Sequence, residues 1–499
     1  MYRKYIECVT CFIYINKNER TKYYKITMSE LSIEKREILF EKYKDQIEVN
    51  PKLDRTLVSF QANKKEYFYR WFKYKEGFSK RLVKYFLMKY HPSKGHILDP
   101  FAGVGSTLFA ARELGWDTTG IELLPVGVFS AKARLASESI DLKNLKEEIE
   151  KFKASFQLGD NNISQRINHI SITKGAFPKE TENYLNYFLN YCDSINDSNI
   201  KIIFEFSAFS ILEEISYTRK DGQYLRWDYR ANKSWGKTKF DKGKIYPFIE
   251  SINNKLVQLY QDLQFGNGND LFDQLEEKEL DSKIPNILQG SSLELMPKFE
   301  NNLFDFIMTS PPYCNRYDYT RTYALELIFL GHTDEQVKNL RQEMLSCTVE
   351  NKEKIDILKN IYSKLNKIDV FEKVILYYNS NEAMQEVNKV LDLLNERKML
   401  NNSNIPRMVR NYFLEMAFII FEMYRVLKHD GYSVMVNDNV RYGGQEIPVD
   451  LILTDFAINF GFNLEKIYTL PTGKGNSSQQ MGNYGRTELR KCVYVWRKA

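Results

Sequence analysis

The stretch from Ile97 to Glu122 constrains the fold of this chain more than any other. Ile97-Leu98 is a short apolar run ending in Asp99, and the turn Pro100-Phe-Ala-Gly-Val-Gly105 follows it. Residues 108–114 carry a helical pattern, Gly115 stands where a helix takes its C-terminal cap, and Thr118-Thr-Gly-Ile-Glu122 reads as the next strand. Strand, turn, helix and strand in this order make a right-handed crossover, the unit of doubly wound α/β sheets. Gly103 and Gly105 let the backbone turn sharply and approach a ligand, with a helix N-terminus just beyond. Glu122 ends the second strand, where a carboxylate accepts both hydroxyls of a ribose. A nucleoside site is therefore expected at this turn.

The ligand is not expected to be a dinucleotide. Leu108 occupies the place of the third glycine in that fingerprint, and Asp99 puts a carboxylate where a pyrophosphate would be repelled. A cationic ligand tolerates the carboxylate. S-adenosylmethionine, with its ammonium and sulfonium, is the cofactor this charge favours.

A second landmark lies further along. Residues 304–308 (Phe-Asp-Phe-Ile-Met) read as a buried strand, and Thr309-Ser-Pro-Pro-Tyr313 follows directly. Two prolines end any sheet ladder, because neither has a donor N–H and both fix φ. Ser310, preceding a proline, is pushed towards extended geometry. The loop falls at the carboxyl end of a strand, where open α/β sheets place their ligands. It offers a hydroxyl, peptide carbonyls and a phenol ring. Those groups suit a flat ring with an exocyclic amino group: acceptors for the NH2 and an aromatic for the face. The plain alternative is a Pro-Pro turn that merely closes a strand.

Composition narrows the class without deciding it. The chain has 499 residues, 43% hydrophobic and 27% charged, enough for a large core in one domain with insertions or in two to three domains. A net charge of +6 is compatible with a polyanion but does not demand one. Six cysteines, mostly isolated, argue against a disulfide framework and for a reducing cytoplasm. Cys8 and Cys11 form a C-x-x-C pair with no second Cys/His pair at zinc spacing, so no metal is expected. No apolar run approaches the ~20 residues of a membrane span. The start of the chain lacks a signal-peptide pattern, and Met28-Ser-Glu-Leu-Ser reads as a natural start that leaves residues 1–27 as an upstream extension.

The organisation reads as a core interrupted twice. Residues 1–50 form an N-terminal extension, with a charged helix over 29–50. Residues 51–140 hold the cofactor part, with a short strand near 57–60, an aromatic run at 67–78, a helix over 80–90 ended by His91-Pro92, and the crossover above. A charged helix is expected over 132–157. The insertion 141–285 is read with a strand over 200–206 and a helical piece over 211–215. Its notable part is 219–244, with nine Lys/Arg against three Asp and interleaved Tyr224, Trp227, Tyr229, Trp235 and Phe240. Basic groups for phosphates with aromatics for bases form a nucleic-acid footprint, which nominates Arg219, Lys220, Arg226, Trp227, Arg230, Lys233, Trp235 and Lys237 as DNA contacts. The alternative is a solvated surface loop. Residues 286–331 hold the catalytic part and 332–405 a helical insertion. Residues 406–499 close the core with a helix over 412–427 stopped near Asp430-Gly431, strands at 432–437, 464–470 and 492–496, and a helix capped by Gly461.

These residues resemble a family. Asp99-Pro-Phe-Ala-Gly-Val-Gly-Ser-Thr107 is similar to the cofactor motif of the DNA amino-methyltransferases, and Thr309-Ser-Pro-Pro-Tyr313 to their catalytic motif. The Ser-Pro-Pro-Tyr form is typical of cytosine-N4 enzymes, Asp- or Asn-Pro-Pro-Tyr of adenine-N6 enzymes. The likeness covers 66–140, 286–331 and 406–499. It implies an α/β fold: a Rossmann-like class I methyltransferase sheet with inserted target-recognition and helical segments. It also implies methyl transfer from S-adenosylmethionine to a flipped base in double-stranded DNA, and a restriction-modification role with a cognate restriction endonuclease. Carried over, Asp99, Phe101, Gly103 and Gly105 would line the methionine part of the cofactor, Glu122 would hold the ribose and Leu123 would pack on the adenine. Phe78 would add a cofactor contact, while Ser310, Pro311, Pro312 and Tyr313 would hold the target base. Two departures stand out. Gly290-Ser291-Ser292 replaces the family's Gly-Asp-Ser, so Ser291 stands where an acid contacts the adenine amino group, with Asp305 or a neighbour as its substitute. The cofactor motif also precedes the catalytic one, unlike the permuted order common among cytosine-N4 enzymes. Adenine N6, an RNA amino group and a non-catalytic binding subunit remain the alternatives.

Overall fold

The structure is a computed structural model that describes residues 32–155, 165–221, 225–231, 233, 239–266, 283–471 and 481–499. The chain divides into two compact units. One comprises Arg55–Ser292 and Tyr317–Met344, the other Leu293–Arg316, Leu345–Ala499 and the chain up to Asp54.

The Arg55–Ser292 unit carries the crossover foreseen from the sequence. The strands His96–Asp99, Asp117–Glu122 and Asn286–Gln289 run parallel, with Asp99 beside Gly120 and Glu122 beside Gln289. Helix Ser106–Arg112 connects the first two, and Gly115, at φ +79°, ends that connection as expected. Helix Pro125–Ser137 follows the second strand with Pro125 in its first turn, where a missing N–H costs nothing. The helix Lys80–Tyr90 matches its expected bounds, held at its start by Leu82 N–H donating to the Ser79 hydroxyl.

Three expectations in this unit are corrected. Residues 200–206 are not a strand: one helix, Ser198–Ile215, takes in both that segment and 211–215. Its β-branched and aromatic residues favour a strand locally, but Asp197 caps the first turn and burial extends around the helix, from Ile203 and Phe204 to Phe206, Ala208 and Phe209. The charged helix read over 132–157 is two helices, Pro125–Ser137 and Leu142–Ser155. Residues 57–60 form no strand; a 3-10 helix, Phe60–Lys65, follows a turn there.

The other unit is a mixed sheet. Ile47–Val49 lies parallel to Phe462–Thr469, which pairs antiparallel with Lys491–Lys498; that strand pairs antiparallel with Leu427–Asp438, which lies parallel to Phe304–Thr309. The helix expected over 29–50 thus stops at Tyr43, and its tail becomes the short strand Ile47–Val49. The long helix Ile405–Val426 passes directly into a strand at Leu427, ahead of the expected stop at Asp430-Gly431. Leu427 pairs with Phe304 and Tyr432 with Phe306, so the turn residues between them bulge out of the ladder. Helix Val449–Phe460 ends at Gly461, at φ +117°, as read. A small hairpin, Val440–Tyr442 with Gln445–Ile447 around Gly443-Gly444, was not foreseen. The helices of 332–405 divide: Asp334–Glu343 belongs to the first unit, and Ile355–Lys364, Ile368–Ser380 and Glu382–Glu396 to the second.

Candidate active site

In the Arg55–Ser292 unit, the glycine-rich turn is fastened by two carboxylates. Asp99, at the end of its strand, accepts the Phe101 N–H at 3.0 Å and the Thr107 hydroxyl at 2.6 Å. Glu122, at the end of the neighbouring strand, accepts the Gly103 N–H at 2.6 Å on one oxygen and the Leu124 N–H at 2.7 Å on the other. Each Glu122 oxygen keeps a second lone pair, which is what two ribose hydroxyls require. Burial pushes the Glu122 carboxyl up to about 7, against the pull of the backbone N–H groups, and the Asp99 charge adds to the rise.

Glycine is required both in the turn and in the helix packed against it. Gly103 lies at φ +54°, and a Cβ there would stand 2.9 Å from Cε1 of Tyr74. A Cβ at Gly127 would stand 2.4 Å from the Gly103 carbonyl oxygen. Phe101 and Leu123 are half-buried, whereas Phe78 is 5% exposed and packs into the core. Ser291 is half-buried, donating to the Glu343 carbonyl at 3.4 Å, and it is Ser292 that reaches the turn, through the Pro100 carbonyl. An acid-bound turn with left-handed glycines, a buried carboxylate at the strand end and half-buried apolar residues beside it fits a nucleoside-bearing cofactor. Tyr74, Gly127 and Ser292 were missed by sequence reasoning; Tyr74 sat in an aromatic run that reads equally well as core.

In the other unit, the Phe304–Thr309 strand ends at the Ser-Pro-Pro-Tyr loop, as expected. Pro311 is buried, and Ser310, Pro312 and Tyr313 are half-buried. The Ser310 hydroxyl donates to the Tyr313 hydroxyl oxygen at 3.2 Å. Burial raises the Tyr313 phenol above its ordinary value, so it stays neutral. Lys491 Nζ lies 5.7 Å from the Tyr313 ring centroid and 3.4 Å from Asp438, neither of which the sequence singled out. Cys314 is fully buried, its thiol pushed well up by burial, and its carbonyl accepts the Tyr442 hydroxyl at 2.7 Å; it is a packing residue. The Asp305 carboxylate is engaged by Lys428 at 2.8 and 2.9 Å.

The basic stretch is more tightly built than a solvated loop. Thr218–Lys220 and Leu225–Trp227 form an antiparallel hairpin. Arg219 is exposed. Arg226 lies 3.4 Å from Asp221 and 4.1 Å from the Phe240 ring centroid. Arg230 forks onto the buried Asp228 at 2.6 and 2.9 Å and holds that carboxyl well below its usual range. Lys233 donates to the Lys174 carbonyl and lies 4.8 Å from the ring centroid of the half-buried Trp227. Lys220 is corrected: it is 3% exposed and paired with Glu326, so its ammonium is withdrawn from any phosphate. Trp235, Lys237 and the Cys8/Cys11 pair lie outside the described residues. Among the described residues, no helix is long and apolar enough to cross a membrane.

Comparison with known proteins converges with this geometry. The N6_N4_Mtase family model, described as DNA methylase, matches residues 3–127. Type II methyltransferase M.AvaI of Nostoc sp. is 47% identical over 464 residues, covering 92% of each chain. Type II methyltransferase M.BsoBI of Geobacillus stearothermophilus is 42% identical over 473 residues, covering 92% of this chain and 91% of its own. Type II methyltransferase M.MvaI of Kocuria varians is 22% identical over 452 residues, covering 87% and 92%. With near-complete coverage at this identity, and with a glycine turn bound by two carboxylates and a Ser-Pro-Pro-Tyr loop at a strand end, the chain belongs to the Type II methyltransferases, a DNA amino-methyltransferase family.

Proposed function

We propose that this protein methylates the exocyclic N4 of cytosine in double-stranded DNA, using S-adenosylmethionine, as the methyltransferase of a restriction-modification system. The base assignment rests on the Ser-Pro-Pro-Tyr form of the loop, which resembles that of cytosine-N4 enzymes, and the amino-group chemistry rests on the Ser310 hydroxyl. Its proton is committed to the Tyr313 oxygen, which leaves the Ser310 oxygen lone pairs as acceptors.

The amino nitrogen of cytosine is a poor nucleophile because its lone pair is conjugated with the ring. Accepting its two N–H hydrogens on the Ser310 oxygen and the Pro311 carbonyl favours a more tetrahedral nitrogen. When bound, S-adenosylmethionine would supply an electrophilic methyl on a sulfonium; Ser310 and Pro311 would aim the amino nitrogen at it, and the proton displaced from that nitrogen would pass to solvent. Tyr313 offers a neutral ring for the flipped base to stack on. Glu122 would hold the ribose, Leu123 would pack on the adenine, and Asp99, Phe101 and Gly103 would line the methionine part. Gly105, at φ +83°, permits the sharp bend of that turn, and Phe78 packs in the core of the same unit. Positioning supplies most of the rate in this scheme, and no covalent enzyme intermediate is needed.

Arg219, Arg226, Trp227, Arg230 and Lys233 are proposed as the DNA-facing groups of the inserted region, with a cognate restriction endonuclease as the functional partner. The order of the two motifs favours a second reading, adenine N6, with the same in-line chemistry. The test is Ser310→Ala. A fall in methyl transfer of about a hundredfold, with cofactor affinity nearly unchanged, is expected if Ser310 positions the base. An equal loss of both would remove Ser310 from that role.

A further inference from the structure

Lys220 ends the Thr218–Lys220 strand of the basic hairpin, and its ammonium is buried on three partners. It pairs with Glu326, itself 1% exposed, and lies 4.5 Å from the ring centroid of Tyr323 and 4.9 Å from that of Phe72. Two aromatic faces and one carboxylate are what a desolvated ammonium needs. The Lys220 carbonyl accepts from Lys75 Nζ, and its N–H donates to Glu213 at 3.2 Å.

The contacts continue inward. Tyr323 is fully buried and stacks on Tyr74, with centroids 5.2 Å apart and planes 14° from parallel. Its hydroxyl donates to Glu76 and accepts the Lys75 N–H at 3.3 Å. The Tyr74 ring is the group that a Cβ at Gly103 would meet at 2.9 Å, and the Gly103 N–H reaches Glu122 at 2.6 Å. The sequence Lys220, Tyr323, Tyr74, Gly103, Glu122 therefore runs without a gap from the basic hairpin to the cofactor turn, inside one compact unit.

Stability alone does not account for this chain. A buried ion pair stabilises a fold little better than apolar residues of the same volume. Here one oxygen of Glu326 and one of Glu76 are buried without a hydrogen-bond partner, which costs stability rather than adding to it. What such a network does supply is a fixed position for each member.

We propose that Lys220 is a positioning residue that couples the basic hairpin to the cofactor turn. By holding Tyr323 against Tyr74, it keeps the Tyr74 ring against Gly103 and the turn in its ligand-accepting shape. Linkage then makes hairpin ordering and cofactor binding mutually supportive. The inference rests on reading that turn as the S-adenosylmethionine site.

The test uses the full chain, with Lys220→Met and the doubly neutral Lys220→Met/Glu326→Gln, in which no buried charge is stranded. Binding of S-adenosylhomocysteine is measured by calorimetry, and binding of a mixed-sequence duplex DNA across a range of salt concentrations. The folded double variant is expected to bind S-adenosylhomocysteine about tenfold more weakly, with DNA affinity and its salt slope unchanged. Unchanged S-adenosylhomocysteine affinity overturns the coupling. So does a weaker DNA affinity with a salt slope smaller by about one, the mark of a lost phosphate contact. A double variant that does not fold makes Lys220 a stability residue and also overturns it. If the unsubstituted chain fails to bind S-adenosylhomocysteine, the reading of the turn itself falls, and the coupling with it.

Discussion

Glu122 shows how one side chain carries both architecture and chemistry. Its carboxylate ties the glycine turn to the neighbouring strand, and burial raises its pKa to about 7. Because the folded protein holds that proton more tightly than the unfolded chain, the stability it contributes is complete below the unfolded value and is lost as pH rises through about 7. Glu122→Gln should therefore gain on the unsubstituted protein as pH increases, by on the order of 2–3 kcal/mol between about pH 5 and 8. Thermal unfolding of both proteins across that range reads the difference; a constant gap would contradict the raised pKa. If Glu122 holds the ribose as proposed, the hydroxyls would donate to the ionised carboxylate, so cofactor affinity should climb as pH rises through about 7, and Glu122→Gln should flatten the climb. Titration calorimetry at several pH values shows whether it does. The place of Glu122 was legible in the sequence because it ends a strand next to the glycine turn. Lys220 was not legible in this way, since a lysine in a basic run looks the same whether it faces solvent or Glu326.

At the scale of elements, the glycine turn makes the sharpest prediction. Gly103→Ala forces a left-handed residue with a Cβ 2.9 Å from the Tyr74 ring. The backbone alone costs about 1–2 kcal/mol, and Tyr74 must move as well. Loss of cofactor affinity is expected to exceed the loss of thermal stability, when binding and melting are measured side by side. Unaltered binding would show that the ring and turn are not set against each other. Elements with punctuation were legible: Ser79 and His91-Pro92 delimit the helix Lys80–Tyr90, and two prolines end the strand Phe304–Thr309. Elements whose type depends on burial were not. The apolar run at 200–206 has strand-forming residues but lies in a helix buried nearly all around. Asp430-Gly431 looked like a helix stop because a bulge inside a strand uses the same residues as a turn.

At the scale of the molecule, the glycine turn and the Ser-Pro-Pro-Tyr loop fall in different compact units, which the linear order of the sequence does not reveal. The turn bound by Asp99 and Glu122 belongs to one, the Ser310-Pro-Pro-Tyr loop to the other. The sequence likeness to Type II methyltransferases extends over 92% of the chain, so the inserted regions belong to the family's shared body as much as the motifs do. In the proposed function, Ser310 is the residue on which the choice of base would rest. The most direct measurement is to incubate the protein with S-adenosylmethionine and unmethylated DNA, digest the DNA, and identify the methylated nucleoside by mass spectrometry. N4-methylcytosine is expected, formed about a hundredfold more slowly by Ser310→Ala. N6-methyladenine would contradict that expectation, leaving the transfer chemistry in place but taking the choice of base away from the Ser310 hydroxyl.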